Sequence, residues 1–229
     1  MDFGIVYYTN NRLDPLIMRA AQRQILKSRL PVVSVSLTFL DFGSNIVYRG
    51  EPGYLTMFRQ ILAGLQASRA DIVFFCEHDV LYHPSHFDFI PPCKDVYYYN
   101  ENVYKVRYPD GKALTYLCQQ TSGLCAYREL LLSHYRERVE RVELEGYTRA
   151  IGFEPGTHNR PERIDDYKAE SWMSAYPNID IRHEYNLTPS RWRKDQFRNQ
   201  RFTEGWQEVT SVPGWGEVAN GKIMEILNA

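Results

Sequence analysis

The sequence predicts a single α/β domain built on a mostly parallel central sheet flanked by helices. Three observations carry this. Apolar runs alternate with segments of helical period in the order β-α-β-α-β, and right-handed crossovers of that kind build parallel sheets. The strongest run, Ile72-Val73-Phe74-Phe75-Cys76, is apolar throughout, as a strand covered on both faces must be. The 229 residues, 44% of them apolar, suffice for one substantial core, and no repeat, low-complexity tract or linker divides them.

Taken in order, Phe3 to Tyr8 reads as the first strand, and Thr9-Asn10-Asn11 ends it with turn-forming residues. Leu16, Ile17, Ala20, Ala21 and Ile25 then recur at helical spacing, with Pro15 suited to the first turn and Pro31 beyond the end. Val32 to Leu37 is a second strand. Glu51-Pro52-Gly53 opens a second helix through Met57, Ile61, Leu62 and Leu65, which leads into the apolar run at Ile72. Val96 to Tyr99, Val103 to Tyr108, Leu114 to Cys118 and Leu124 to Tyr127 are short strands, split by turns such as Pro109-Asp110-Gly111. Arg128 to Glu145 is a charged helix, and Gly152 to Arg163 a Pro/Gly-rich loop able to shape a site. Asp165 or Asp166 caps an expected helix running to about Tyr176. Ile179 to Arg182 is a short strand leading to His183, and the tail after Pro189 shows little periodicity.

Bulk properties exclude several classes. Basic and acidic residues number 27 and 28, so global charge announces neither a nucleic-acid nor a membrane partner. The four cysteines, Cys76, Cys93, Cys118 and Cys125, have no CxxC spacing, which argues against structural zinc and fits a reducing, cytoplasmic setting. The N-terminus lacks a signal-peptide pattern, and no apolar run reaches membrane-spanning length. Neither GxGxxG nor GxxxxGK[ST] occurs, which disfavours dehydrogenase and P-loop readings. Tyrosine-rich composition suits flat sugar- or base-binding walls.

The chemistry concentrates where the apolar run ends, at Glu77-His78-Asp79. Ligands of open α/β sheets sit at the carboxyl ends of strands. Two carboxylates there are hard oxygen donors suited to Mg²⁺ or Mn²⁺, and a metal so held can neutralise a diphosphate. In extended chain Glu77 and Asp79 point the same way, so one binds metal directly and the other acts through water or a ribose. His183 is a further candidate ligand. Behind it, Arg191, Arg193, Lys194, Arg198 and Arg201 against Asp195 give a local charge of +4, with Trp192 and Phe197 interleaved. Such a segment can close over phosphates, or stack on and neutralise single-stranded nucleic acid. Asp165 and Asp166 are a helix cap or a general base, with Asp166 the first choice and Glu170 a substitute. Thr9-Asn10-Asn11-Arg12 can hold a base or ribose.

The order of elements together with Glu77-His78-Asp79 resembles a glycosyltransferase of the GT-A fold, of the family 2-like type, over roughly residues 3–183. The motif is similar to that family's Asp-x-Asp, with Glu in the first place. Asp165-Asp166 fits its acidic pair, and His183 fits its metal-completing histidine. The resemblance implies one GT-A (Rossmann-like) domain over 1–229: a nucleotide-binding half (1–92), an acceptor-side half (93–188) and a basic, aromatic tail (189–229) that closes over the site. It implies Mn²⁺ or Mg²⁺ on Asp79 and His183 with Glu77 assisting. Nucleotide contacts fall to Thr9, Asn10, Asn11, Arg12 and His78, and diphosphate contacts to Arg191, Arg193, Lys194 and Arg198. Acceptor contacts fall to Gln120, Thr121 and Ser122, with Asp166 or Asp165 as base. The implied activity is inverting transfer of a sugar from a nucleotide-diphosphate donor to the hydroxyl of a glycan, small molecule or modified nucleic acid. Competing expectations are a metal-dependent hydrolase built on His78, Asp79, His83 and His86, a non-catalytic sugar- or nucleic-acid-binding module, and a glycosyltransferase acting on modified DNA bases.

Overall fold

The computed structural model describes residues 1–158, 163–165 and 167–229. The expected β-α-β-α-β opening is present: β1 (Phe3–Thr9), α1 (Pro15–Leu26), β2 (Val32–Ser36), β3 (Ser44–Val47), α2 (Tyr54–Ala67) and β4 (Ile72–Glu77). Asp14 caps α1 by accepting from the Leu16 amide, with Pro15 in the first turn, as a helix start requires. There follow β5 (Val80–Leu81), β6 (Tyr97–Asn100), β7 (Val103–Arg107), β8 (Ala113–Thr115), β9 (Leu124–Tyr127), α3 (Arg128–Glu145), β10 (Ala169–Trp172), β11 (Asn178–Arg182), β12 (Gln207–Val209), β13 (Ser211–Val212), β14 (Gly216–Glu217) and α4 (Ile223–Asn228).

Seven strands form the main sheet in the order β10-β6-β9-β4-β1-β2-β3. The pairs β1–β2, β1–β4, β2–β3 and β6–β10 are parallel, whereas β9 runs antiparallel to both its neighbours. The alternation of strand side chains divides the core. Val6, Tyr8, Val73 and Phe75 face α2 and α3, where they meet Phe58, Ile61, Leu65, Leu131 and Tyr135. Ile5, Tyr7, Phe74 and Cys76 face the other way, against Ile25, Phe42 and Tyr82. A second sheet, β12-β8-β7-β11-β5, packs through Leu81, Val106, Ile179 and Ile181 against Ile17 and Ala21 of α1 and Ile223 and Leu227 of α4.

Four expectations change. The strand from Ile72 ends at Glu77 as expected, but the chain then turns at His78-Asp79 and hands an unforeseen β5 to the second sheet. The helix expected from Asp165 to about Tyr176 is replaced by β10, whose register opposite Tyr97–Asn100 satisfies its backbone. β3 was not foreseen: Ser44-Asn45-Ile46-Val47 is an edge strand too polar to stand out. The tail divides, with Trp192 lining the cleft described below while β12 pairs with β8 and α4 packs on α1. No helix among the described residues is long and apolar enough to cross a membrane.

Candidate active site

A cleft of about 340 Å³ opens where the carboxyl ends of β1 and β4 meet the second sheet. Its floor is the turn after β4. The Ile181 amide donates to the Asp79 carbonyl at 2.8 Å, which fixes that turn against β11. The residue after β11 is His183, whose amide donates to Asn186 Oδ1 at 2.6 Å in a local turn. Two segments far apart in sequence thus place His183 Nε2 3.2 Å from Asp79 Oδ2, while Asn186 Nδ2 donates to the same oxygen at 2.7 Å. Ligand atoms of His78, Asp79 and His183 all lie within 4.8 Å of one another.

The two carboxylates of the motif have diverged. Tyr8 Oη donates to Glu77 Oε1 at 2.5 Å. Burial, reinforced by the charge of Asp79, pushes the Glu77 pKa up to about 8. Asp79 is only 6% exposed, and burial opposes its charge. The hydrogen bond from His183, with the fields of His78, His183 and Arg182, nevertheless keeps it below the ordinary carboxylate range. Burial also lowers His78, whose Nδ1 lies 2.5 Å from Thr9 Oγ1. The group that could hold a metal ion is thus one carboxylate, Asp79, with two imidazoles, His78 and His183. One hard oxygen and two nitrogens suit Mn²⁺ better than Mg²⁺, which demands oxygen ligands.

The opposite wall comes from the second sheet. Asp180 on β11 is in register with Lys105 on β7, so the two share a face. Arg182 Nη1 lies 3.3 Å from Asp180 Oδ1. Lys105 is 8% exposed and its Nζ donates to Cys118 Sγ at 3.1 Å and Gln120 Oε1 at 3.3 Å, 4.2 Å above the Tyr116 ring. Burial works against its charge, but Cys118, Tyr116 and Asp180 hold its pKa above the usual lysine range. Lys105, Asp180, Arg182, Asn186 and Glu154 all line the cleft and were missed from sequence. A signal existed: Asp180 and Arg182 alternate with Ile179 and Ile181, and Lys105 stands in an apolar strand.

The remaining expected residues divide. Thr9 and Asn10 line the cleft, as do Gln120, Thr121 and Ser122, with Gln120 Nε2 donating to Ser122 Oγ at 2.8 Å. Asn11 and Arg12 do not line it. Asn11 sits at φ +60° and its Oδ1 accepts from the amides of Leu37 and Thr38, so it shapes the turn, and Arg12 is exposed. Of the tail cations, Arg191 lines the cleft and lies over Phe197, whereas Arg193, Lys194 and Arg198 face solvent, Arg193 beside Asp195. Asp166 lies outside the described residues. Asp165 accepts from Tyr97 Oη at 3.0 Å and is bound to His134, beside a small void that Glu154 separates from the cleft. The cluster His78, Asp79, His83 and His86 does not assemble. His83 Nδ1 accepts from the Ser85 amide and caps the turn at Pro84–Asp88, and His86 is fully buried between Asn100 and Asn178.

No protein-family model matches the chain, and no curated protein matches it in sequence. Among solved structures it is similar to a glycosyltransferase involved in glycosylation of the major capsid of PBCV-1, at 11% identity and TM-score 0.45 over 75% of this chain and 82% of that one. It is also similar to Drosophila β1,4-galactosyltransferase 7 in complex with manganese, UDP-Gal and xylobiose, at 10% identity and TM-score 0.43 over 87% and 81%. A nucleotidyl transferase from Methanothermobacter thermautotroptrophicus aligns at 13% identity and TM-score 0.38 over 61% and 76%. These likenesses are of fold. The fold of this chain is a mixed α/β architecture with a mostly parallel central sheet flanked by helices.

Proposed function

We propose that this protein is a metal-dependent glycosyltransferase that moves a sugar from a nucleotide-diphosphate donor to an acceptor hydroxyl. The observation that supports it best is the convergence of His78, Asp79 and His183 at the carboxyl edge of the sheet, on the floor of a cleft large enough for a ligand. Mn²⁺ is the preferred ion on the donor set. When bound, it supplies Lewis-acid neutralisation of the diphosphate leaving group.

The chain's own groups do the rest. Thr9 and Asn10 line the β1 side of the cleft, where a base and ribose are accommodated. Glu77, which accepts a hydrogen bond from Tyr8, lines the same side. Arg191 at the rim adds positive charge beside the diphosphate, and Gln120, Thr121 and Ser122 line the acceptor side. An inverting course needs a carboxylate to take the proton of the attacking hydroxyl. Asp166 remains the assignment for that role. Glu154, raised by burial, is a described cleft carboxylate that also borders the void beside Asp165. A cytoplasmic setting is part of the proposal, supported by four free thiols.

The test is a thermal-shift screen of nucleoside diphosphates and their sugars with and without Mn²⁺. Selective ligands raise the melting temperature by linkage. The proposal expects a shift for one donor class that requires Mn²⁺; no shift with any member of the panel overturns it.

A further inference from the structure

Lys105 is a buried cation with no carboxylate among its hydrogen-bond partners. Its ammonium meets the Cys118 sulfur, the Gln120 carbonyl oxygen and the face of Tyr116. Among the described ion pairs none includes it, whereas its neighbour Arg182 is paired with Asp180. A buried charge with no carboxylate bonded to it is costly to the fold unless something offsets it. Asp180, in register one strand away and already engaged by Arg182, offsets it in part. The ammonium nonetheless belongs to the lining of an open cleft, where a ligand can reach it.

Its position defines what that ligand is. β5, which begins directly after Asp79, pairs with β11 at Val80–Asp180, and Asp180 pairs with Lys105 on β7. Lys105 therefore stands one strand from β11, whose continuation carries His183, and two strand spacings, about 10 Å of backbone, from β5, which follows Asp79. A diphosphate held at His78, Asp79 and His183 would occupy one part of the cleft, and Lys105 lines another part of the same cleft. Resting on the glycosyltransferase reading, we infer that Lys105 selects a substrate bearing a second anionic group, a carboxylate or phosphate carried by the transferred sugar or by the acceptor. Gln120, already bonded to Lys105, and the Tyr116 ring complete the wall around it.

Calorimetry with matched probes separates the sources. UDP-glucose is compared with UDP-glucuronate, and GDP-mannose with GDP-mannuronate, in Mn²⁺. Glucose is compared with glucuronate and glucose 6-phosphate in the presence of Mn²⁺ and UDP or GDP. A charge-assisted contact is worth roughly 10- to 100-fold in affinity. The expected result is a preference of that size for the anionic member, in the donor pairs if the sugar carries the group and in the acceptor set if the acceptor does. The preference disappears in Lys105→Met and survives in Lys105→Arg, while UDP or GDP alone binds both variants as it binds the parent. Equal affinity for charged and neutral members throughout overturns the inference. So does a Lys105→Met variant that loses UDP or GDP by the same factor, because Lys105 then serves the diphosphate. Should Lys105→Met fail to melt cooperatively, the parent and Lys105→Arg still decide through their preference. Absence of any binding of UDP or GDP with Mn²⁺ overturns the underlying function instead, which is a separable outcome.

Discussion

Acid should unpin the junction between the two sheets through one histidine. His86 Nδ1 accepts from Asn100 Nδ2 at 2.9 Å and from Asn178 Nδ2 at 3.1 Å. Asn100 ends β6 in the main sheet and Asn178 begins β11 in the second, so the ring ties the sheets whose meeting forms the cleft. A proton on Nδ1 would confront two N–H donors in a dry site, and burial lowers the pKa to about 3. A histidine depressed in the folded state gives stability that is whole above its unfolded pKa of about 6.5 and is lost as pH falls towards the folded value. The window is therefore about pH 6.5 down to about 3, with a slope near 1.4 kcal/mol per pH unit. By pH 5 the loss is about 2 kcal/mol relative to pH 8. The assay is urea denaturation at pH 8 and pH 5 for the parent and His86→Gln. The parent should lose about 2 kcal/mol more than the variant over that interval, since His134, depressed to about 4, contributes to both. An NMR titration of the parent gives a variant-free check, with the His86 ring neutral at pH 5. Parallel loss in both proteins, or a His86 ring that titrates near 6.5, would refute the argument.

Three other outcomes are expected. Asp79→Ala should leave a folded protein whose Mn²⁺ binding, read by calorimetry, falls at least tenfold and whose transfer activity is lost; full turnover with unchanged metal response removes Asp79 from the site. Asp166→Asn should abolish turnover while donor binding persists, and a normal rate in that variant assigns the base elsewhere, with Glu154→Gln the next variant to assay. Gly111→Ala should cost about 1–3 kcal/mol or more in denaturant midpoint with Mn²⁺ affinity unchanged. The reason is geometric: φ is +76°, and a Cβ there would sit 1.7 Å from the Val218 carbonyl oxygen, where the β7–β8 turn meets the tail.

Part of what the cleft gathers has a local signal in the sequence. Asp79 ends an apolar stretch that only a central strand explains, and the carboxyl edge of such a strand is where ligands bind. His183 has a similar signal, following the short strand from Asn178 and lying beside Asp79. The arrangement of Glu77 and His78 was not visible in the local pattern. Extended chain would aim Glu77 and Asp79 alike, but the chain bends after Glu77, which leaves Glu77 with Tyr8 and brings His78 to the cluster. The helix expected after Asp165 failed because capping residues describe a local preference, and pairing with β6 outweighs it.

By itself the sequence determined the alternation of strands and helices and the two-faced pattern of β1 and β4, since each follows from periodicity over neighbouring residues. Only the tertiary structure decided that Lys105, Asp180 and Arg182 share a face of the cleft, that His86 is a pin between sheets rather than a ligand, and that Arg191 meets the cleft while Arg193, Lys194 and Arg198 do not. Those facts depend on which strands pair and in what register. Pairing is set by contacts between residues far apart in the chain, and no local pattern encodes them.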